Sequence, residues 1–115
     1  MVTLYGIHNC DTVKKTRAWL EERGIAYTFH DWRKDGLNPV WLRSWVDEFG
    51  WETLVNRKST TWRNLPEQTR DNMDEAIALA VMEDQPTLIK RPLLEMSTRR
   101  VVGFSPDAYR QLFQH

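Results

Sequence analysis

Residues 2–24 read VTLYGIHNCDTVKKTRAWLEERG. The apolar run Val2–Ile7 is typical of a buried strand. After a short polar stretch, the spacing of apolar residues from Thr12 to Arg23 predicts an amphipathic helix, and Gly24 is a common helix stop. The predicted buried face of this helix consists of Val13, Thr16, Trp19 and Leu20.

The segment after Gly24 predicts a second strand. Apolar Ile25, Tyr27 and Phe29 alternate with other residue types, which is the period of a strand. A strand–helix–strand unit with a crossover of this length favours two parallel strands joined by a right-handed connection.

The middle of the chain predicts helices. Asn38-Pro39 combines a capping side chain with a proline at the first helical position, so a helix should run from there to about Phe49. Residues 56–63 are polar and aperiodic and are expected to form a loop, whereas residues 73–82 predict another helix. Its expected buried stripe consists of Met73, Ala76, Ile77, Ala80 and Val81.

The last third of the chain returns to extended segments. Thr87–Ile89 predicts a strand, and Lys90-Arg91-Pro92 interrupts it. Leu93–Met96 and Val101–Phe104 then predict the two strands of a hairpin. Ser105-Pro106 repeats the capping signal and predicts a final helix.

The order of these elements is that of a thioredoxin-like (glutaredoxin-like) α/β domain, with three layers arranged α/β/α and a helical insertion. We expect a mixed sheet of about four strands, because the first two strands are predicted to be parallel and the last two antiparallel. The length of 115 residues suits a single domain over residues 1–115, with the insertion at about 38–83.

Composition and charge exclude several classes of protein. The 16 basic and 16 acidic residues give a net charge of zero, so nothing in the overall charge favours a nucleic acid or a membrane surface as partner. No apolar run is long enough to cross a bilayer, and the N-terminus lacks the pattern of a signal peptide. We therefore expect a cytoplasmic protein, and a monomer. With one cysteine and three scattered histidines, the sequence predicts no disulfide and no metal site.

Cys10 occupies a position that suits a reactive thiol. It lies where the first helix begins, and unpaired N–H groups and the positive end of the helix dipole stabilise a thiolate there. Lys14 adds positive potential, and Asp11 opposes it. The alternative is that Cys10 is a small buried apolar residue, as many unpaired cysteines are. His8 could tune the thiolate from two residues away, but we favour a histidine with satisfied hydrogen bonds at the rim.

Basic residues elsewhere could hold an anion near such a thiol. Arg91 carries a fork of donors that suits an oxyanion, and a cis Pro92 would place a tight bend beside a site. The alternative for Arg91 is a solvated or ion-paired surface arginine. Arg57 and Lys58 could supply a second positive group, although basic residues in loops are usually just solvated.

Four segments together resemble the ArsC/Spx family, and they are most similar to the YffB-type branch of arsenate reductase-like proteins. The resemblance covers essentially the whole chain. The segments are LYGIHNCDTVKKTR (4–17), DWRKDGL (31–37), NRKSTTWR (56–63) and PTLIKRPLL (86–94).

The resemblance implies a thioredoxin-like fold and a catalytic cysteine at Cys10. In the glutaredoxin-linked arsenate reductases of this family, the thiolate attacks arsenate, glutathione forms a mixed disulfide, and glutaredoxin resolves it. Three arginines hold the oxyanion in that group. Arg91 matches one of them, next to a proline that is cis in the family, and Arg57 matches another. The third would lie near residues 102–104, where this sequence has no arginine.

The missing arginine favours glutathione over arsenate as the molecule that is bound. An oxyanion loses roughly 1.5–3 kcal/mol for each lost hydrogen bond to a charged group, whereas the remaining basic residues suit the carboxylates of glutathione. We therefore expect an oxidoreductase: a glutathione-dependent thiol reductase in which Cys10 forms a mixed disulfide with glutathione. No permanently bound cofactor is expected. An external thiol must resolve the disulfide, and the resemblance implies glutaredoxin as a partner. The expected glutathione- or oxyanion-binding residues are Asn9, Thr12, Lys14, Arg57, Arg91 and Pro92.

Two alternatives stay open. The first is a regulatory or binding module without catalysis, since the Spx branch of the family binds RNA polymerase and regulates transcription. Spx-type redox sensing usually uses a Cys-x-x-Cys pair, and here the second position is Val13. The second alternative is a weak arsenate reductase.

Overall fold

The computed structural model describes residues 1–114, which divide into two compact units. The first unit consists of Met1–Asp35 and the chain from Arg91 onward, and the second of Gly36–Lys90. In chain order the elements are β1 (Thr3–Gly6), α1 (Asp11–Glu22), β2 (Thr28–Asp31), α2 (Pro39–Phe49), α3 (Trp51–Leu54), α4 (Thr60–Asn64), α5 (Glu67–Asp71), α6 (Glu75–Asp84), a 3₁₀ turn (Pro86–Leu88), β3 (Leu93–Glu95), β4 (Arg100–Val102) and α7 (Pro106–Leu112).

The first unit is built on a four-stranded sheet with the order β2-β1-β3-β4. β1 is parallel to β2 and antiparallel to β3, and β3 and β4 form an antiparallel hairpin. The predicted mixed sheet and thioredoxin-like fold are therefore confirmed. β2 begins at Thr28, later than the alternation from Ile25 suggests, because the chain first turns back from α1 through Gly24 at φ +67°.

The core of the first unit lies between the sheet and the helices α1 and α7. The ring of Tyr109 packs edge-on against Trp19, with 5.6 Å between ring centroids, and against Phe104 at 4.9 Å. The predicted buried face of α1 is confirmed. The buried core residues are Leu4, Trp19, Leu20, Leu94 and Tyr109.

The second unit contains the predicted helices and corrects two predictions. The side chain of Asn38 caps α2 by accepting from the Val40 amide at 2.9 Å, as predicted. The predicted loop over 56–63 is wrong in its second half, because the Ser59 hydroxyl accepts from the Trp62 amide and starts α4. The predicted strand Thr87–Ile89 is also wrong. The chain forms a 3₁₀ turn there, and of that segment Ile89 alone forms an isolated bridge, with Val55.

The predicted buried stripe of α6 is shifted in register. Asp74 caps this helix by accepting from the Ile77 amide at 2.9 Å, so the helix begins at Glu75. The residues that α6 buries are Ala78 and Met82, whereas Ala76 and Ala80, which were predicted to be buried, are exposed. Among residues 1–114, none of the helices has the length and apolar character needed to cross a membrane.

Candidate functional site

A tight turn after β1 places Cys10 immediately before the first residue of α1. The Cys10 amide donates to the Ile7 carbonyl at 3.2 Å, which closes the turn. Cys10 is itself extended, with φ −94° and ψ 128°, and it is the N-cap of α1. Its carbonyl accepts the first helical hydrogen bond, from the Lys14 amide at 2.9 Å. The sulfur therefore lies where the N–H groups of the first turn have no partner within the helix.

A close approach between β1 and α1 sets the height of the helix above the sheet. A Cβ atom at Gly6 would lie 2.8 Å from the Cγ2 atom of Val13, a distance that side chains do not tolerate. Val13 is fully buried, so α1 can pack this closely against β1 only because residue 6 is glycine. The start of α1, and with it Cys10, is thus held against the end of β1.

Arg91 is brought to the thiol by the chain that enters β3. The Arg91–Pro92 peptide bond is cis, as the resemblance implies. Pro92 is buried, and its carbonyl accepts from the Gly103 amide at 2.7 Å, which ties the bend to the residue after β4. The Arg91 guanidinium lies close enough to the Cys10 thiol to lower its pKa through its charge and a hydrogen bond.

These surroundings shift the pKa of the Cys10 thiol downward. Burial raises that pKa, since a thiolate is poorly solvated in the half-buried position. The Val13 amide, the Arg91 guanidinium and the Thr12 amide lower it, and together they outweigh burial. The thiolate is the nucleophilic form of cysteine, so the lowered pKa favours thiol chemistry at Cys10.

Five of the predicted binding residues lie in the same unit as Cys10. Asn9 is exposed in the turn before it, and Thr12 and Lys14 are exposed on the first turn of α1. Arg91 acts on the thiol as described above, and Pro92 follows it in the chain as a buried residue. The binding roles of all five residues stay predictions.

Arg57 lies in the second unit. It is exposed, and its guanidinium lies over the Trp62 ring at 5.6 Å from the centroid. Its role at the site stays a prediction.

His8 forms a pair that the sequence analysis missed. Its ring Nδ1 lies 2.8 Å from the carboxylate of Asp31, and its amide donates to the same oxygen at 3.1 Å. Asp31 is 2% exposed and ends β2. The interpretation of His8 as a rim histidine with satisfied hydrogen bonds is confirmed. An acidic residue at the end of a predicted strand was the signal that could have identified Asp31.

Arg100 does not replace the third arginine of the resemblance. It lies on β4, and its Nε donates to the Glu95 carboxylate at 2.8 Å. That carboxylate also accepts from the Tyr5 hydroxyl at 3.2 Å. Burial and the adjacent Glu95 raise the pKa of Tyr5 to about 12. Arg100 thus belongs to a structural ion pair.

Residues 1–114 contain no group of three or more histidine, cysteine, aspartate or glutamate side chains that could hold a metal ion.

The chain is similar to known proteins in both sequence and fold. The model of the ArsC family matches residues 5–112. A YffB protein of known structure superposes with a TM-score of 0.91 at 49% identity, over 96% of this chain and 97% of its own. An arsenate reductase (ArsC) related protein from Brucella melitensis superposes with a TM-score of 0.81, also at 49% identity, over 99% of this chain and 95% of its own.

Similarity also extends to regulators. The global transcriptional regulator Spx of Staphylococcus haemolyticus is 27% identical over 113 residues, which are 96% of this chain and 86% of that protein.

Proposed function

This chain belongs to the ArsC family, and on that premise we propose that it is a glutathione-dependent thiol reductase whose nucleophile is Cys10. One observation supports this function above the others. The Cys10 sulfur lies at the N-cap of α1 beside the Arg91 guanidinium, and its pKa is lowered. A thiolate next to a fixed cation can receive an anionic thiol substrate such as glutathione, which carries two carboxylates.

The proposed reaction is a pair of thiol–disulfide exchanges. The Cys10 thiolate attacks the glutathione sulfur of a mixed disulfide between glutathione and a substrate thiol. The Cys10–glutathione disulfide forms, the substrate sulfur–sulfur bond breaks, and the substrate leaves as a thiolate. A second glutathione thiolate then attacks the glutathione sulfur of the adduct and releases Cys10 as a thiolate, with oxidised glutathione as product.

The thiol that carries out the second exchange must belong to another molecule, because Cys10 is the single cysteine of the sequence. Glutathione itself, or a glutaredoxin, is the proposed resolving thiol. Arg91 is proposed to hold a carboxylate of glutathione, with Asn9, Thr12 and Lys14 on the open side of the thiol. The activity requires a reducing compartment, and the cytoplasm stays the predicted location.

Mass spectrometry after exposure to oxidised glutathione at neutral pH tests the proposal. Wild-type protein should gain one glutathione, and reduced glutathione should remove it. Cys10→Ser should gain none, and Arg91→Ala should gain it more slowly. Arg99→Ala is the matched control, because Arg99 is exposed in the hairpin turn and its loss should leave the rate unchanged. A wild-type thiol that stays unmodified would contradict the proposal.

A regulatory role is the second candidate, favoured by the similarity to Spx. A pull-down with RNA polymerase separates the two functions. Polymerase binding that survives Cys10→Ser, in a protein that forms no glutathione adduct, would favour regulation. Arsenate turnover with glutathione and glutaredoxin is expected to be slow or absent, because residues 102–104 hold no arginine.

A further inference from the structure

Asp31 has a carboxylate that is almost fully buried and accepts hydrogen bonds at both oxygens. One oxygen accepts from the His8 amide at 3.1 Å and lies 2.8 Å from the His8 ring nitrogen. The other accepts from the amides of Arg33 at 2.9 Å and Lys34 at 3.2 Å. Burial of a carboxylate costs free energy unless hydrogen-bond donors surround it, and here the donors stabilise the charged form of Asp31.

These bonds join the loop before Cys10 to the loop after β2. Asp31 is paired with Gly6 in the register of the parallel strands, and the Trp32 amide donates to the Gly6 carbonyl at 2.9 Å. From there the Asp31 side chain reaches forward to His8, the second residue of the turn that Cys10 closes. Asp31 therefore fixes this turn from the side, through a residue two positions from the thiol.

We propose that Asp31 is a positioning residue for Cys10: by clamping His8 at its amide and its ring, it holds the turn that keeps the sulfur at the N-terminus of α1 beside Arg91. This proposal deepens the proposed function and rests on it. Asp31 touches neither the sulfur nor a substrate in this role. It acts through the backbone that carries the thiol.

The sign of the effect on the thiol separates positioning from simple electrostatics. A negative charge near a thiol disfavours the thiolate, so removal of the Asp31 charge alone would lower the pKa of Cys10. Loss of the clamp would instead move the sulfur away from the Thr12 and Val13 amides and from Arg91, which would raise that pKa. The charge of Arg91 acts on the thiol, and Asp11 follows Cys10 as the first residue of α1. Neither charge is altered in the test.

The test is the pH profile of alkylation of Cys10 by a small neutral reagent in wild type and in Asp31→Asn. Asparagine keeps the volume of aspartate but has one acceptor oxygen, so it cannot accept from all the present donors. We expect the pKa of Cys10 to rise by about half a unit or more, which lowers the ratio of thiolate to thiol at a given pH about threefold or more. An unchanged or lowered pKa in the folded variant would overturn the proposal.

Asp35→Asn is the matched control. It removes one negative charge from the same loop, and the asparagine oxygen can still accept from the Asp31 amide, as the Asp35 carboxylate does at 3.0 Å. We expect the pKa of Cys10 to stay unchanged or fall slightly in this variant. A rise equal to that in Asp31→Asn would show a general loosening of the loop and would also overturn the proposal.

His8→Ala keeps the proposal testable if Asp31→Asn fails to fold. It removes the ring contact and keeps the amide bond, so we expect a smaller rise of the pKa of Cys10 in the same direction. Alkylation does not involve glutathione. A raised pKa in the variants of a protein that forms no glutathione adduct would therefore reject the proposed function alone, and an adduct with unchanged pKa values would reject the role of Asp31 alone.

Discussion

Arg91 meets the Cys10 sulfur because β1 and β3 are antiparallel neighbours. Tyr5 of β1 is paired with Leu93 of β3, so the residues just before β3 lie at the edge of the sheet where β1 ends. Cys10 follows the end of β1, and Arg91 precedes the start of β3. The register of two strands thus brings an anion-binding guanidinium to the nucleophile, and a change of register would separate them.

Arg91→Ala should raise the pKa of the Cys10 thiol toward its ordinary value. The guanidinium stabilises the thiolate by charge and by a hydrogen bond, so its loss disfavours the charged form. We expect a rise of about one unit, measured from the pH dependence of alkylation. Arg99→Ala should leave the profile in place. An Arg91→Ala profile that overlays the wild type would mean that the helix amides alone set the pKa.

Gly6→Ala should destabilise the fold through a single contact. The new methyl group would lie 2.8 Å from the Cγ2 atom of Val13, and both residues are buried. Overpacking of this kind typically costs about 1–3 kcal/mol of unfolding free energy, measured by denaturant titration.

The double variant Gly6→Ala/Val13→Ala provides the control for that contact. Removal of the Val13 methyl groups opens the space that the new Cβ needs, so the double variant should lose less stability than the sum of the two single variants. Strict additivity would show that the cost at residue 6 comes from the backbone and not from Val13.

Local signals in the sequence predicted most elements of the first unit. The apolar run of β1, the stripe of α1 and the cap at Ser105 each act within a few residues, and the Ser105 hydroxyl does accept from the Ala108 amide. Of the candidate site, the sequence predicted Cys10 and Arg91. Their residue types and the family resemblance both indicate their chemistry.

The errors have non-local or subtler causes. Leu88 and Ile89 are apolar because they are buried in the second unit, and a buried apolar segment does not have to be a strand. The role of Asp31 depends on the pairing of β2 with β1, which brings it to His8 from 23 positions away in sequence. No local pattern encodes that contact.

Asp31 should make stability depend on pH in the acid range. Burial raises the pKa of its carboxyl, but the hydrogen bonds from the His8 side chain and from the amides of His8, Arg33 and Lys34 outweigh burial and hold it at about 2, below the ordinary 3.8. The folded state therefore binds a proton less readily than the unfolded state. The resulting stabilisation is present above pH 4 and is lost as the pH falls toward 2.

The measurement compares the unfolding free energies of wild type and Asp31→Asn between pH 5 and pH 2. Wild type should be more stable at pH 5, and the gap should narrow by about 2 kcal/mol toward pH 2, because asparagine does not titrate. Subtracting the unfolding free energies of the two proteins removes the contributions of the other carboxylates, which both proteins share. A gap that stays constant over this range would show that the pKa of Asp31 is ordinary in the folded protein.

Tyr109 should contribute to stability through its ring, with a small part from its hydroxyl. The side chain is fully buried between Trp19 and Phe104, and its hydroxyl makes one long hydrogen bond, 3.5 Å to the Gly103 carbonyl. Tyr109→Ala should cost about 3–5 kcal/mol of unfolding free energy, as for other large aromatic residues in cores. Tyr109→Phe should cost about 1 kcal/mol or less at pH 7.

At alkaline pH the order of wild type and Tyr109→Phe should reverse. Burial raises the pKa of Tyr109 above its ordinary 10, so the folded state resists ionisation of the phenol while the unfolded state ionises freely. The unfolding free energy of wild type therefore does not depend on Tyr109 ionisation below pH 10. It falls as the pH rises above 10, because the unfolded chain is stabilised by ionising. Phenylalanine has no such group, so denaturant titrations at pH 11 should find Tyr109→Phe more stable than wild type. If the difference in unfolding free energy between the two proteins is the same at pH 11 as at pH 7, Tyr109 ionises as easily in the folded protein as in the unfolded chain.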